Sequence, residues 1–284
     1  MYALRRIRFR SWSNLVYSTD MMHKQSSSAF SLVELSIVLV ILGLLTGGIL
    51  GGQSLIRAAE LRSVSTEYAR YITASHTFRD KYFAIPGDFR DATRFWQRQA
   101  ATGDCVSNSG ASPNSAGACD GNGDGIIGGS PAATQSGEMF QYWRQLALAG
   151  LIEGTYSGSA GAGSGSHCVL GTNCPRSRLS NAGFGIRQIN GYFTGNTADW
   201  AGNYGIFFDF GSASADGTPQ GNIMKPEEAW NIDTKTDDGR PGTGKVLGWN
   251  WSSCALGASA TDFAAGYNLA EPSSVFKLHF TNIF

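Results

Sequence analysis

The hydrophobic pattern of the chain changes in its first third, and each part predicts a helical element. Residues 30–50 are almost wholly apolar. At about 1.5 Å per residue, a helix of this length can cross a bilayer core of about 30 Å. From Leu61 to Tyr82, apolar residues recur every three or four positions, which predicts an amphipathic helix. We therefore expect one helix over about residues 30–81, whose second half packs on the domain that follows.

The rest of the chain predicts a loop-rich domain with short strands. Pro86 and Gly87 should end the long helix. The predicted later elements are helices at 91–99 and 138–149 and strands at 184–192, 204–210, 245–249 and 275–281. A long N-terminal helix followed by a small antiparallel sheet predicts the α+β class.

Composition and charge add a membrane-targeting signal. Charged residues make up only 15% of the chain and 37 residues are glycine, which fits a loop-rich body joined to an apolar segment. The net charge of zero argues against a nucleic-acid binder. Five of the 22 basic residues but one of the 22 acidic residues lie in residues 1–29, so the remainder carries a net charge of −4. A basic leader before an apolar run predicts a cytoplasmic N-terminus.

Glu34 is the one ionisable residue of the apolar run. A carboxylate there is costly unless it has a partner, although a glutamate in the headgroup region would need none. A cleaved secretory signal is the other interpretation of the run. Such a signal carries small residues after its apolar part, whereas Ser26–Ala29 precede this one.

The segment Ala29-Phe30-Ser31-Leu32-Val33-Glu34-Leu35, followed by the apolar run, resembles the processing site of type IV pilins and type II secretion pseudopilins. The resemblance implies cleavage between Ala29 and Phe30 by a prepilin peptidase, N-methylation of Phe30, and a role for Glu34 in registering subunits within a filament. The family usually has glycine before the cut, where this chain has Ala29.

The resemblance also implies the organisation and location of the chain. The expected partners are the prepilin peptidase/methyltransferase, other pilin or pseudopilin subunits, the inner membrane and an assembly platform protein. The globular domain is expected in the periplasm, and then on a filament or the cell surface. The expected divisions are a leader at 1–29, a transmembrane and filament-core helix at 30–52, an amphipathic helix at 53–83 and a globular domain at 84–284. Residues 1–20 could be an over-extended gene start, because Met21 or Met22 would begin a short basic leader.

Two acidic segments are candidate calcium loops. In the first, oxygen-bearing residues alternate as in the first half of an EF-hand loop, and Glu138 could replace the missing twelfth ligand. Its candidate ligands are Asp120, Asn122, Asp124, Ile126 through its carbonyl, and Glu138. The second segment matches more loosely and offers Asp233, Asp237 and Asp238. A metal-free turn is the open alternative for both segments.

The five cysteines predict disulfides in an exported domain. The local pairings are Cys105–Cys119 and Cys168–Cys174, with Cys254 left over or paired with Cys168 or Cys174.

No hydrolase motif accompanies the scattered histidines, so we expect assembly and not catalysis. The favoured function is a minor prepilin-like subunit of a type IV pilus or type II secretion pseudopilus. A membrane-anchored binding protein or adhesin outside any filament is the alternative, and an exported hydrolase is a third class without motif support.

Overall fold

The computed structural model describes most of the chain after residue 30. The described ranges are 31–97, 116–127, 136–160, 167–189, 191–195, 198–214, 217–257 and 259–284. The chain divides into two compact units, Met1–Gly51 and Gly52–Phe284.

Helix α1 spans Leu32–Tyr82, which confirms the predicted long helix. Its apolar beginning is exposed along its length, with Leu32 at 86% exposure and Leu50 at 68%. This helix is long and apolar enough to cross a membrane. The helix ends where Phe83 adopts a positive φ of 52°, just before Pro86 and Gly87.

The second half of α1 buries one stripe of side chains within the Gly52–Phe284 unit. The stripe has helical spacing, and the polar residues between its members are mostly exposed. Its fully or largely buried members are Val64, Tyr68, Tyr71, Ala74, Ser75 and Phe78. The amphipathic pattern therefore identified the core-facing side of this helix.

Four strands form one antiparallel sheet in the order β1-β2-β4-β3. The strands are β1 (Ala182–Ile189), β2 (Gly205–Ser212), β3 (Val246–Leu247) and β4 (Leu278–Phe280). β1 and β2 overlap predicted strands with bounds shifted by one to three residues, and β3 and β4 lie within predicted strands but are shorter. The described residues thus have the predicted α+β fold, with a small antiparallel sheet.

One face of the sheet packs against α1 through aromatic rings. Tyr68 stacks on Phe280 at 4.3 Å between ring centroids, and Tyr71 meets Phe184 edge to face at 5.1 Å. Trp143 stacks on Phe208 at 5.4 Å, which brings a third element into the same layer. Aromatic pairs at these separations add to the stability that area burial provides.

Three shorter helices complete the described fold: α2 (Ala92–Trp96), α3 (Ser136–Leu148) and α4 (Pro226–Thr236). Helix α3 is buried on its polar side as well, where Gln141 and Gln145 bond the backbone of Cys119. Helix α4 corrects the sequence analysis, which treated residues 231–239 as a loop. Pro226 lies in its first turn, and the Glu228 side chain accepts the backbone N–H of the N-cap residue Lys225 at 2.9 Å.

Helix α4 is tied to α1 by a bidentate ion pair. Arg57 Nε donates to Glu228 Oε1 at 2.6 Å, and a second guanidinium nitrogen donates to Oε2 at 2.8 Å. The planar fork of arginine fits a carboxylate in this geometry. The pair therefore fixes α4 beside the first turns of α1 that belong to the Gly52–Phe284 unit.

We predict that Phe208→Ala will lower the free energy of unfolding by about 3–5 kcal/mol, because it removes a fully buried ring and leaves a cavity in the aromatic layer. Urea unfolding followed by tryptophan fluorescence measures this change. Tyr192→Ala is the matched control, because Tyr192 is 65% exposed, and it should change stability by less than about 0.5 kcal/mol. Equal effects of the two substitutions would contradict the placement of Phe208 in the buried aromatic layer.

Candidate functional site

The start of α1 carries the residues that the sequence singles out for processing and assembly. Ala29 and Phe30 lie outside the described residues. Glu34 lies in the first turn of α1, in a segment whose side chains are all exposed. Its Oε2 accepts a hydrogen bond from the backbone N–H of Ser31 at 2.9 Å.

Ser31 completes a reciprocal arrangement with Glu34. The Ser31 hydroxyl oxygen accepts the N–H of Val33 at 3.3 Å, and the Ser31 carbonyl accepts the N–H of Leu35 at 3.1 Å. Ser31 therefore acts as the N-cap of α1, and the S-x-x-E spacing forms a capping box. The Glu34 carboxylate has a neutral hydrogen-bond partner here, so its charge is available to a cation.

The first acidic segment does not assemble the ligand set expected from its spacing. Asp124 and Glu138 lie together, but the third carboxylate is Asp88, and the candidate ligand atoms of the three lie within 4.8 Å of one another. Asp120 instead accepts hydrogen bonds from the backbone and hydroxyl of Thr93, both at 2.8 Å. Asn122 bonds within the loop, its amide donating to Asp124 Oδ2 at 2.8 Å.

Asp88 organises this loop through backbone N–H groups. Its carboxylate accepts hydrogen bonds from Gly123, Asp124 and Gly125. Burial raises the pKa of Asp88, and these N–H groups offset part of that rise. Gly121 allows the backbone of this loop to lie close to that of Asp88, because a Cβ at position 121 would lie 2.4 Å from the Asp88 Cα.

The predicted ligand Ile126 donates its backbone N–H to Asp124 Oδ1 at 2.8 Å.

The second acidic segment brings its three predicted residues together. Asp233 lies near the end of α4, and its candidate ligand atom lies within 4.8 Å of those of Asp237 and Asp238. Asp233 is fully buried, and its Oδ2 accepts the hydroxyl hydrogen of Tyr267 at 2.8 Å. Burial, together with the charges of Asp238 and Asp237, raises the pKa of Asp233 to about 7. A cation bound here would relieve the repulsion among the three carboxylates.

A third polar cluster, on the sheet face opposite α1, was not foreseen. The carboxylate of Asp209 on β2 is fully buried and receives two hydrogen bonds from Arg187 on β1. His279 Nδ1 on β4 lies 2.7 Å from Asp209 Oδ1, and His279 Nε2 lies 3.3 Å from Asp199 Oδ1. No local motif marks these residues, because sheet pairing is what brings them together.

Burial and the neighbouring groups act in opposite directions on the two carboxylates of this cluster. Burial opposes ionisation of Asp209, but the guanidinium of Arg187 and the ring of His279 outweigh it and hold the pKa of Asp209 below its usual range. Burial likewise opposes ionisation of Asp199, yet His279 lowers the pKa of Asp199 to about 2. Both carboxylates are therefore charged at neutral pH, and the cluster is a structural ion network.

The cysteines give one local disulfide among the described residues. Cys168 is bonded to Cys174, with their Cα atoms 5.7 Å apart. Cys254 is a free buried thiol, and burial raises its pKa to about 11. Cys119 is disulfide-bonded, and its predicted partner Cys105 lies outside the described residues.

Comparison with known proteins bears on the N-terminal segment alone. Residues 24–50 match the family model of the prokaryotic N-terminal methylation motif, which is the hallmark of type IV pilin and pseudopilin signals. No curated protein and no solved structure matches the chain. Over residues 24–50 the chain is therefore similar to type IV pilin-like precursors, and its apolar helix fits a membrane anchor.

We predict a pH-dependent stability that depends on Asp233. Between about pH 4 and pH 7 the folded chain retains a proton on Asp233 that the unfolded chain has released, so the free energy of unfolding falls as the pH rises. Relative to Asp233→Asn, the free energy of unfolding of the original protein should fall by roughly 2 kcal/mol over this range. This is less than the pKa difference between the folded and unfolded chain would give, because water screens the neighbouring charges.

Urea unfolding in the presence of a chelator, at pH 4 to 8, tests this prediction. Asp80→Asn, on the exposed surface of α1, is the matched control and should keep the pH dependence of the original protein. An Asp233→Asn profile parallel to that of the original protein would show that Asp233 does not titrate in this range.

Proposed function

We propose that this chain is a prepilin-type subunit that is cleaved between Ala29 and Phe30, methylated at the new N-terminus, and assembled through α1 into a type IV pilus or type II secretion pseudopilus. The observation that carries the proposal is Glu34, the single carboxylate in the exposed apolar beginning of α1, which lies within the methylation motif at residues 24–50. This combination serves helix assembly in an apolar environment and requires no catalytic site.

Pairing with a positive charge explains how the apolar helix accommodates the carboxylate of Glu34. Cleavage before Phe30 creates a new amine, and methylation leaves that amine able to carry a positive charge. Two isolated charges within a bundle of apolar helices are costly, whereas an ion pair with good geometry offsets much of that cost. Glu34 of one subunit would therefore pair with the Phe30 amine of its neighbour and fix their axial register.

The other proposed partners follow from the same pathway. A prepilin peptidase/methyltransferase acts on the leader, an assembly platform protein extracts the anchored subunit, and other pilin or pseudopilin subunits surround it. The Gly52–Phe284 unit would lie outside the inner membrane, in the periplasm and later on the filament. Removing 29 of the 284 residues leaves about 255, which favours a minor subunit over a compact major one.

Intact-mass and N-terminal peptide analysis of membrane-purified protein tests the processing step. We expect a mature chain that begins at Phe30 with one added methyl group. A chain that retains residues before Phe30, or one cut after the apolar run, would contradict the proposal. The first result would instead favour a membrane-anchored binding protein or adhesin outside any filament, and the second would favour a secreted binding domain.

We predict that Glu34→Ala and Glu34→Gln will both leave cleavage largely intact and reduce incorporation into filaments at least tenfold. Glutamine can still accept the Ser31 N–H but carries no charge, so it separates the ion pair from the capping box. Quantitative blotting of sheared filaments against membrane-bound protein measures incorporation.

Glu34→Asp is the matched control, because it keeps the charge on a side chain one methylene shorter, and it should retain more incorporation than Glu34→Gln. Normal filaments from Glu34→Gln would contradict the pairing of Glu34 with the amine.

We also propose that calcium binds the Asp233, Asp237 and Asp238 group. Carboxylate oxygens are suitable calcium ligands, and the fully buried Asp233 carries a raised pKa that a cation would reverse. The Asp88, Asp124 and Glu138 group is the second candidate.

We predict that calcium at about 100 times its Kd will raise the Tm by roughly 5 to 10 °C, since a ligand at that excess adds about 2.7 kcal/mol of stability. Differential scanning calorimetry with calcium and then with a chelator measures the shift. Asp237→Asn should abolish it, and the control Asp124→Asn should preserve it. Loss of the shift in Asp124→Asn alone would place the ion at the first group instead.

A further inference from the structure

Three arginines line one groove in the Gly52–Phe284 unit. Arg62 and Arg70 come from α1, and Arg178 comes from the segment that precedes β1. The groove has a volume of about 290 Å³, and two hydroxyl side chains and Glu67 complete its wall. This volume lies at the lower end of the range for small-ligand sites, about 300 Å³, so the groove suits one compact polar group.

Glu67 fixes the segment that carries Arg178. Its Oε1 accepts the backbone N–H of Arg178 at 3.0 Å, and its Oε2 accepts the hydroxyl hydrogen of Ser177 at 2.6 Å. Both carboxylate oxygens of this buried side chain are therefore engaged with the neighbouring segment. The fold itself thus holds Arg178 beside α1, and a ligand is not needed to bring the arginines together.

The guanidinium groups of Arg62 and Arg178 are available to an anion. Within the part of the chain that the structure describes, neither side chain forms a hydrogen bond or an ion pair. Arg70 lies 3.6 Å from a carboxylate oxygen of Glu153, but the Glu153 side chain is 93% exposed, so this pair is weak. The groove therefore presents three guanidinium groups and has one carboxylate in its wall.

The groove follows closely on the uncharged part of α1. Residues 35–56 contain no charged side chain, and a helix of this length covers about 33 Å, close to the bilayer core of about 30 Å. Arg62 follows Ile56 by six residues, or about 9 Å along the helix. The headgroup layer of one leaflet is about 5–7 Å thick, so the long side chain of Arg62 can reach it.

We propose that this groove binds the phosphate group of an anionic phospholipid in the outer leaflet of the inner membrane. This inference rests on the proposed function, because it takes the Gly52–Phe284 unit to lie outside a membrane in which α1 is anchored. A guanidinium can donate two parallel N–H bonds to a phosphate, and arginines from two segments can contact one phosphate from two sides. An acidic surface of a neighbouring subunit has the same charge, but the short chain distance to the apolar segment favours the headgroup.

Native mass spectrometry of the full chain in a nonionic detergent tests the proposal. The probes are dioleoyl phosphatidylglycerol and, as the neutral lipid with the same acyl chains, dioleoyl phosphatidylcholine. We expect the original chain to bind the anionic lipid at least about tenfold more tightly, because each basic residue near an anionic surface contributes about fivefold in affinity. On the same basis, Arg62→Gln/Arg178→Gln should weaken binding of the anionic lipid roughly 10- to 30-fold and leave that of the neutral lipid unchanged.

Two further double variants separate the groove from the net charge of the chain. Arg94→Gln/Arg240→Gln is the matched control, because both residues are exposed and neither lines the groove. It removes the same charge and should bind the anionic lipid within about twofold of the original chain. Arg62→Lys/Arg178→Lys keeps the charge but loses the paired donors, so its affinity should lie between those of the original chain and the glutamine variant.

Each other outcome rejects the proposal in a defined way. Equal weakening in the two glutamine variants would show that net charge and not the groove attracts the lipid, and equal affinity of the original chain for the two lipids would overturn the proposal as well. Displacement of the lipid by micromolar inorganic phosphate would assign the groove to a soluble anion instead. Normal lipid binding by Arg62→Gln/Arg178→Gln, together with poor incorporation into filaments, would assign it to a neighbouring subunit.

The lipid measurement is independent of the processing step. It uses the full chain before cleavage, so lipid binding can be observed whether or not the chain is later cut. A chain that is not cleaved before Phe30 would contradict the proposed function, whereas loss of lipid selectivity with normal cleavage would contradict the headgroup site alone.

Discussion

The fold of the Gly52–Phe284 unit depends on the aromatic layer between α1 and the sheet. Tyr68 and Tyr71 are one helical turn apart, and each contacts rings on the strands. Without this contact α1 would lose its aromatic packing on the sheet, and the sheet would lose much of the cover on one face. Burial of these rings supplies the main driving force that holds helix and sheet together.

The opposite face of the sheet contributes more to the specificity of strand pairing than to apolar burial. Arg187, Asp209 and His279 come from three different strands and meet in one polar network. Because side chains alternate between the two faces, slipping a strand by one residue would move a charge into the aromatic layer. The network therefore penalises wrong registers and fixes the pairing of β1, β2 and β4.

The sequence was most informative where the pattern is local. The long helix and its buried stripe follow from spacing, and the processing segment follows from a short motif. The α4 start at Pro226 had a readable signal that the acidic residues after it obscured. Asp88 could not be assigned to the first acidic loop, because it lies about 35 residues upstream and joins through backbone N–H groups. The ion network is likewise assembled by strand pairing, which local spacing does not encode.

The position of β4 within the sheet has a consequence for how the domain is made. β4 is synthesised after both of its neighbours, yet it lies between β2 and β3 and joins them. Until residues 278–280 have emerged, β3 has no strand to pair with and the centre of the sheet is missing. The four-stranded sheet therefore cannot close before β4 has been synthesised, whereas β1 and β2 can pair earlier.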